Sequence, residues 1–211
     1  MRALIAMMLP ALVAAAADPH PAALIGTYDG GQMEMAVGLR LKADGRFDYA
    51  MSYGALDEQA AGTWAADDRV VRLTSDRVTP PRFSLIGQTV APRGTVRITL
   101  ALPSGMSRQY FDAHVVLTDG RVIDQQLGEG DTSIAIDPGN PPVKVAPSLD
   151  MFDLASAPVT IDPAKGYGFA FRFEPNDLGK VDFRATPLTR AGGDLVFERY
   201  GRTIRFRRVK P

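Results

Sequence analysis

The side chains that most enzymes use as nucleophiles, bases or soft metal ligands are scarce in this chain, which holds two histidines and no cysteine in 211 residues. His114 is the one histidine inside a patterned stretch, and it shares a strand face with Asp112 in FDAHVVL. A working His–Asp pair needs the carboxylate to orient the ring and a nucleophile within hydrogen-bond reach. No G-x-S-x-G or S-x-x-K string supplies one, and Ser104, in Leu-Pro-Ser-Gly, reads as a turn. His114 is therefore expected to be an ordinary exposed strand residue. No metal site is expected either. There is no H-E-x-x-H and no D-x-D-x-D-G loop, and Asp67-Asp68 and the acids of 174–177 lack calcium-loop spacing. Gly128-Glu129-Gly130 and Gly166-Tyr167-Gly168 lack a third glycine and a following helix, so no dinucleotide or other cofactor is expected.

Three further groups carry a claim to function. Asp57 and Glu58 are the carboxylates nearest a prospective barrel mouth. Glycosidic chemistry needs two carboxyls about 5–10 Å apart across a cleft, and neighbours on one loop rarely face each other so. A solvated loop is the expectation. Tyr49, Met51, Tyr53 and Trp64 belong to an aromatic and apolar set facing an interior, where they either fill a core or line a cavity for a small apolar ligand. The basic C-terminal run includes Arg205 and Arg207, which point outward with Thr203 in the expected register. Charges there blunt an exposed strand against edge-to-edge pairing, or meet an anionic envelope polymer or a protein partner. With 24 basic and 24 acidic residues, no whole-molecule field argues for nucleic acid.

The element that positions these groups is a hairpin over 35–53. Met35, Val37, Leu39 and Leu41 alternate with polar residues, as do Phe47, Tyr49, Met51 and Tyr53. Both sets are odd-numbered, so partners that share a face sum to an even number. A three-residue loop, Ala43-Asp44-Gly45, satisfies that parity, with Gly45 in the left-handed position. Arg40 then stands opposite Asp48. Residues 54–59 read as a loop, and Gly62 and Trp64 as part of the next strand. Near the C-terminus, Leu195 and Phe197 match Phe206 and Ile204 through a two-residue loop, Tyr200-Gly201.

Gly and Pro number 20 and 16, and no stretch beyond the N-terminus sustains a helical period, so the chain is expected to be all-β. Turn signals about every 8–12 residues through 95–181 are the pattern of a β-sandwich. The expected organisation is a small barrel-like unit from residues 18–94 plus 182–211, carrying 95–181 as an inserted sandwich. Two successive β domains are the alternative. Residues 1–17, with Arg2, an apolar run and three small alanines, have the layout of a cleaved signal peptide. Together with the lack of cysteine this predicts a periplasmic or secreted protein without disulfides or a lipid anchor.

Gly26-x-Tyr28, LRLKADGRFDY (39–49), Gly62-Thr63-Trp64, FEPNDLG (173–179) and GDLVFERYGRTIRFRR (193–208) resemble a family of secreted β-rich proteins of alphaproteobacteria. The opening strand is similar to that of small lipocalin-like barrels, and the middle looks like transthyretin-like sandwich modules. The resemblance implies a barrel and an exported address, but no activity. The function expected is a non-enzymatic binding or interaction module of the cell envelope. The alternatives are a lipocalin-like carrier of a small apolar ligand and an enzyme of unfamiliar motif.

Overall fold

The computed structural model describes residues 21–210; the expected signal peptide and His20 lie outside them. The chain opens with five antiparallel strands: β1 (Gly26–Asp29), β2 (Met35–Leu41), β3 (Arg46–Tyr53), β4 (Leu56–Ala66) and β5 (Val70–Ser75). Nine strands follow in two sheets: β6 (Arg82–Thr89), β7 (Thr95–Ala101), β8 (Asp112–Leu117), β9 (Val122–Gln126), β10 (Thr132–Ala135), β11 (Pro142–Leu149), β12 (Leu154–Ala155), β13 (Val159–Thr160) and β14 (Gly168–Glu174). The chain then returns as β15 (Thr186–Ala191), β16 (Asp194–Arg199) and β17 (Arg202–Arg208), which close an eight-stranded barrel in the order β1-β17-β16-β15-β5-β4-β3-β2.

The expected hairpin register holds: Leu41 faces Phe47 and Arg40 faces Asp48, with Gly45 at φ 76°. The Asp48 carboxylate, however, takes its hydrogen bond from Lys42 Nζ at 2.9 Å. The second hairpin also keeps its register, Leu195 against Phe206 and Phe197 against Ile204. Tyr200 and Gly201 both adopt positive φ, 53° and 66°, as a two-residue type I′ loop requires. Period-two alternation sends Met35, Val37, Leu39 and Leu41 inward, together with Phe47, Tyr49 and Met51.

Two expectations are corrected by strand pairing. Residues 54–59 are not a loop: Gly54 and Ala55 alone make the turn, Tyr53 pairs with Leu56, and β4 runs from there. The strand at 82–89, expected with the barrel, pairs with β14 in the inserted sheet. The sheets β10-β7-β14-β6 and β12-β11-β8-β9 share one core. Val96, Ile98, Leu100, Phe169, Phe171 and Phe173 from one sheet meet Ala113, Val115 and Val145 from the other. Inward alternation on both sheets buries these side chains, each worth about 1.5–3 kcal/mol for the larger ones.

The way back into the barrel shapes its interior. Lys180 bridges Gln59 of β4 in parallel, with Gln59 N–H donating to Gly179 and Val181 N–H to Gln59. Phe183, just beyond, plugs the barrel: its ring lies 5.2 Å from Tyr49 and 5.8 Å from Phe197. Among the described residues no helix is long and apolar enough to cross a membrane.

Candidate functional site at the barrel mouth

Parity along β4 decides what the barrel mouth contains. Because the turn before it has only two residues, Asp57 points outward and accepts from Ser52 Oγ at 2.5 Å, whereas Glu58 points inward and is buried. A buried carboxylate needs a partner charge, and Arg199, the last residue of β16, supplies it. Its Nη2 donates to both Glu58 oxygens at 2.7 Å and its Nε to Oε2 at 3.1 Å. The Tyr200 hydroxyl donates to Oε1, while the guanidinium carbon stacks 4.5 Å from the Tyr200 ring centroid and 5.6 Å from that of Phe183. Glu58 is thus not the solvated loop acid that the sequence predicts.

Burial and the Glu58 carboxylate push the Tyr200 phenol up to about 12, against the opposing pull of Arg199. Below this cluster the Tyr49 hydroxyl is fully enclosed and makes no close hydrogen bond, while the Arg199 guanidinium lies near enough to donate weakly to its oxygen. Burial is the main cause that raises its pKa, with Arg199 pulling it down and Glu58 pushing it up.

A pocket of about 480 Å3 opens beside the cluster. Met35, Met51, Leu56 and Ile204 come from barrel strands, and Tyr53 and Arg202 stand at the rim with the guanidinium carbon 5.4 Å from the ring centroid. The opposite wall is the turn Asp150 to Asp153 of the inserted sandwich, which presents Met151 and Phe152. This turn is one 3-10 turn, Asp150–Phe152, ended by Asp153 at φ 50°. Both halves of the chain therefore build one pocket.

Of the residues singled out in the sequence, Met51 and Tyr53 line this pocket. Glu58 touches its wall through Arg199 and Tyr200. Tyr49 lies one inward position deeper than Met51. Trp64 is at the other end of the barrel, 1 % exposed, with its Nε1 donating to the Lys42 carbonyl at 3.0 Å. Asp57 lies on the outer wall. Arg205 and Arg207 do not guard an edge, because β17 is paired on both sides. Arg205 donates to Asp194 at 2.9 Å and Arg207 stands opposite Asp29. Barrel closure thus distributes the basic run among separate partners.

His114 is not an ordinary exposed residue. Its Nδ1 lies 2.6 Å from Asp124 Oδ1 and its Nε2 lies 2.8 Å from Ser148 Oγ. With the proton on Nδ1, the ring donates to Asp124 and accepts from the serine. Register places Asp124 directly across from His114 on β9, and Ser148 two residues beyond its β11 partner Ala146. That is the order of an acyl-transfer relay, but burial runs the wrong way: Ser148 is 1 % exposed, while the Asp124 side chain is 68 % exposed. A substrate could reach the carboxylate and not the hydroxyl. The relay instead ties β8, β9 and β11 together behind the turn that walls the pocket, with Asp150 Oδ1 3.8 Å from Nε2. Asp112, on the same face, has a raised pKa, chiefly through burial and then through the Asp150 charge. No string in the sequence could bring Asp124 and Ser148 to His114, because strand pairing does so.

Among the described residues no group of three or more His, Asp or Glu is placed to hold a metal ion. No protein family, no curated protein and no solved structure matches the chain.

Proposed function

We propose that the protein is an exported, non-enzymatic binding module of the bacterial envelope, and that it holds a small, largely apolar ligand in the barrel mouth. The observation that carries this reading is the pocket itself. It has the size of ordinary ligand sites, which run from about 300 to 1,000 Å3, and its lining is mostly thioether, aromatic and aliphatic. Three methionines, Met35, Met51 and Met151, give it unbranched, polarisable walls that adapt to differing shapes. The reading departs from that of a carrier with its ligand deep in the barrel, since Phe47, Tyr49, Phe183 and Phe197 pack against one another there. The ligand sits at the lip, between barrel and sandwich.

The test is the fluorescence of N-phenyl-1-naphthylamine, an apolar dye that brightens when sheltered from water. The wild type is expected to bind it at micromolar concentration. Ala55→Trp, at an exposed turn position that lines the pocket, is expected to weaken binding at least about tenfold with the circular dichroism spectrum unchanged. Equal binding by both proteins would place the dye elsewhere and remove the support.

A further inference from the structure

We infer that the mouth pocket is coupled to a proton switch at His114: protonation of the ring fastens Asp150, and with it the turn that walls the pocket, so that an apolar ligand binds more tightly in mild acid than at alkaline pH. The inference rests on the mouth-pocket reading above and adds its regulation. Its basis is the place of one histidine among carboxylates from three elements. Asp124 on β9 lies 2.6 Å from Nδ1. Asp112 stands two residues before His114 on the same face of β8, and its carboxyl responds to burial first and then to the Asp150 charge. Asp150, the first residue of the turn, has Oδ1 3.8 Å from Nε2. On β11 the Ser148 hydroxyl lies 2.8 Å from the same nitrogen.

Histidine is the side chain that ordinarily changes charge between about pH 5 and 8, and its two states treat Asp150 differently. With the ring neutral and its proton on Nδ1, Nε2 accepts from Ser148 and offers Asp150 nothing, while Asp112 and Asp124 repel it. With the ring charged, Nε2 carries a proton as well, and the imidazolium attracts a carboxylate already within ion-pair distance. The Ser148 hydroxyl can reverse from donor to acceptor, so the ring keeps its place in both states. Asp150 lines the pocket, and the next two residues, Met151 and Phe152, form its sandwich wall. The turn follows directly on β11 and is paired beyond through Leu154 and Ala155, so an ion pair at its first residue bears on where the wall stands. A ligand that touches this wall favours the state that holds it, and by linkage favours the protonated ring. The Asp150 side chain is 63 % exposed, which keeps the effect modest.

The test measures binding of N-phenyl-1-naphthylamine, which stays neutral throughout, at about pH 5.5 and about pH 8. The wild type is expected to bind about threefold more tightly at the lower pH, the worth of one partly exposed ion pair. His114→Gln keeps a side chain that donates and accepts but does not titrate, and Asp150→Asn removes the charge that the ring attracts. Both variants are expected to bind the dye equally at the two pH values. Dye added to the wild type at about pH 7 should also draw protons onto the ring, moving the His114 Cε1–H resonance toward its position in acid. Equal wild-type affinities at the two pH values would overturn the switch and leave the pocket reading standing. A pH dependence that persists in either variant would do the same, since it would belong to another group, such as Asp112, whose pKa is raised. If the dye binds at neither pH, the pocket reading itself fails.

Discussion

Glu58 and Arg199, 141 positions apart in the chain, meet at the barrel mouth with Nη2 2.7 Å from each carboxylate oxygen and side chains only 8 % and 19 % exposed. A two-residue turn sets the inward parity of Glu58, and the end of β16 sets the position of Arg199. The pair joins the first and last thirds of the chain across the opening where the pocket lies.

Breaking one side of this pair leaves a buried charge without a partner. Glu58→Ala is expected to cost about 3–5 kcal/mol, whereas replacing both residues by methionine is expected to be near neutral or stabilising. Urea unfolding of Glu58→Ala and of the double methionine variant measures this directly. A loss below about 1 kcal/mol in Glu58→Ala would mean that the pair is solvated and weak.

The Tyr200 phenol gives the pair a signature at alkaline pH. Its folded pKa is about 12 against an ordinary 10, so the folded state favours the protonated form. The resulting stability is fully present below pH 10 and is lost as pH rises toward about 12. The thermal midpoint is therefore expected to fall across that window, and less steeply in Tyr200→Phe. The phenolate absorbance of the folded protein should show a late-titrating tyrosine that the variant lacks. Identical pH profiles would contradict the bond to Glu58.

Gly62 and Gly38 make a matched pair of glycines in barrel strands. A Cβ on Gly62 would stand 2.0 Å from the Thr74 carbonyl oxygen, a backbone atom that cannot move aside alone. At Gly38 the nearest atom is the Tyr28 carbonyl oxygen at 3.9 Å, an ordinary contact. Gly62→Ala is expected to destabilise by about 1–3 kcal/mol or more, and Gly38→Ala to be neutral or to gain about 0.5 kcal/mol. Similar urea midpoints for the two variants would contradict the close approach of β4 and β5.

The His114 relay is expected to act on stability and not on chemistry. His114→Ala strands the buried Ser148 hydroxyl and should cost about 1–3 kcal/mol; Ser148→Ala should cost less, since the partly exposed ring can turn to water. Neither the wild type nor the variants should react with a fluorophosphonate. Labelling at Ser148 that disappears in His114→Ala would establish acyl-transfer chemistry in place of a structural tie.

How much of this was legible in the sequence follows from what is local and what is not. The hairpin register from Leu41 and Phe47 was readable because parity and a glycine in a three-residue loop leave one solution. The all-β class and the barrel made from both chain ends were readable for the same reason, since inward residues recur at period two in both. β15 is not legible, because Pro187 and the short run before Gly192 give no alternation; its pairing with β16 begins only at Thr189. The fate of Glu58 turned on whether residues 54–59 form a loop or a turn of two, a difference that reverses inside and outside. The relay of His114 and the plug of Phe183 depend on pairings between strands far apart in sequence, which no local pattern encodes.

A methionine-methyl NMR titration with N-phenyl-1-naphthylamine, observing the ε-methyl groups, shows directly where the apolar ligand binds. If the barrel mouth is the binding site, the resonances of Met35, Met51 and Met151, which line it, shift together with one dissociation constant, while those of Met33 and Met106, which do not, stay in place. Shifts at Met33 or Met106 with Met35, Met51 and Met151 unmoved would contradict it.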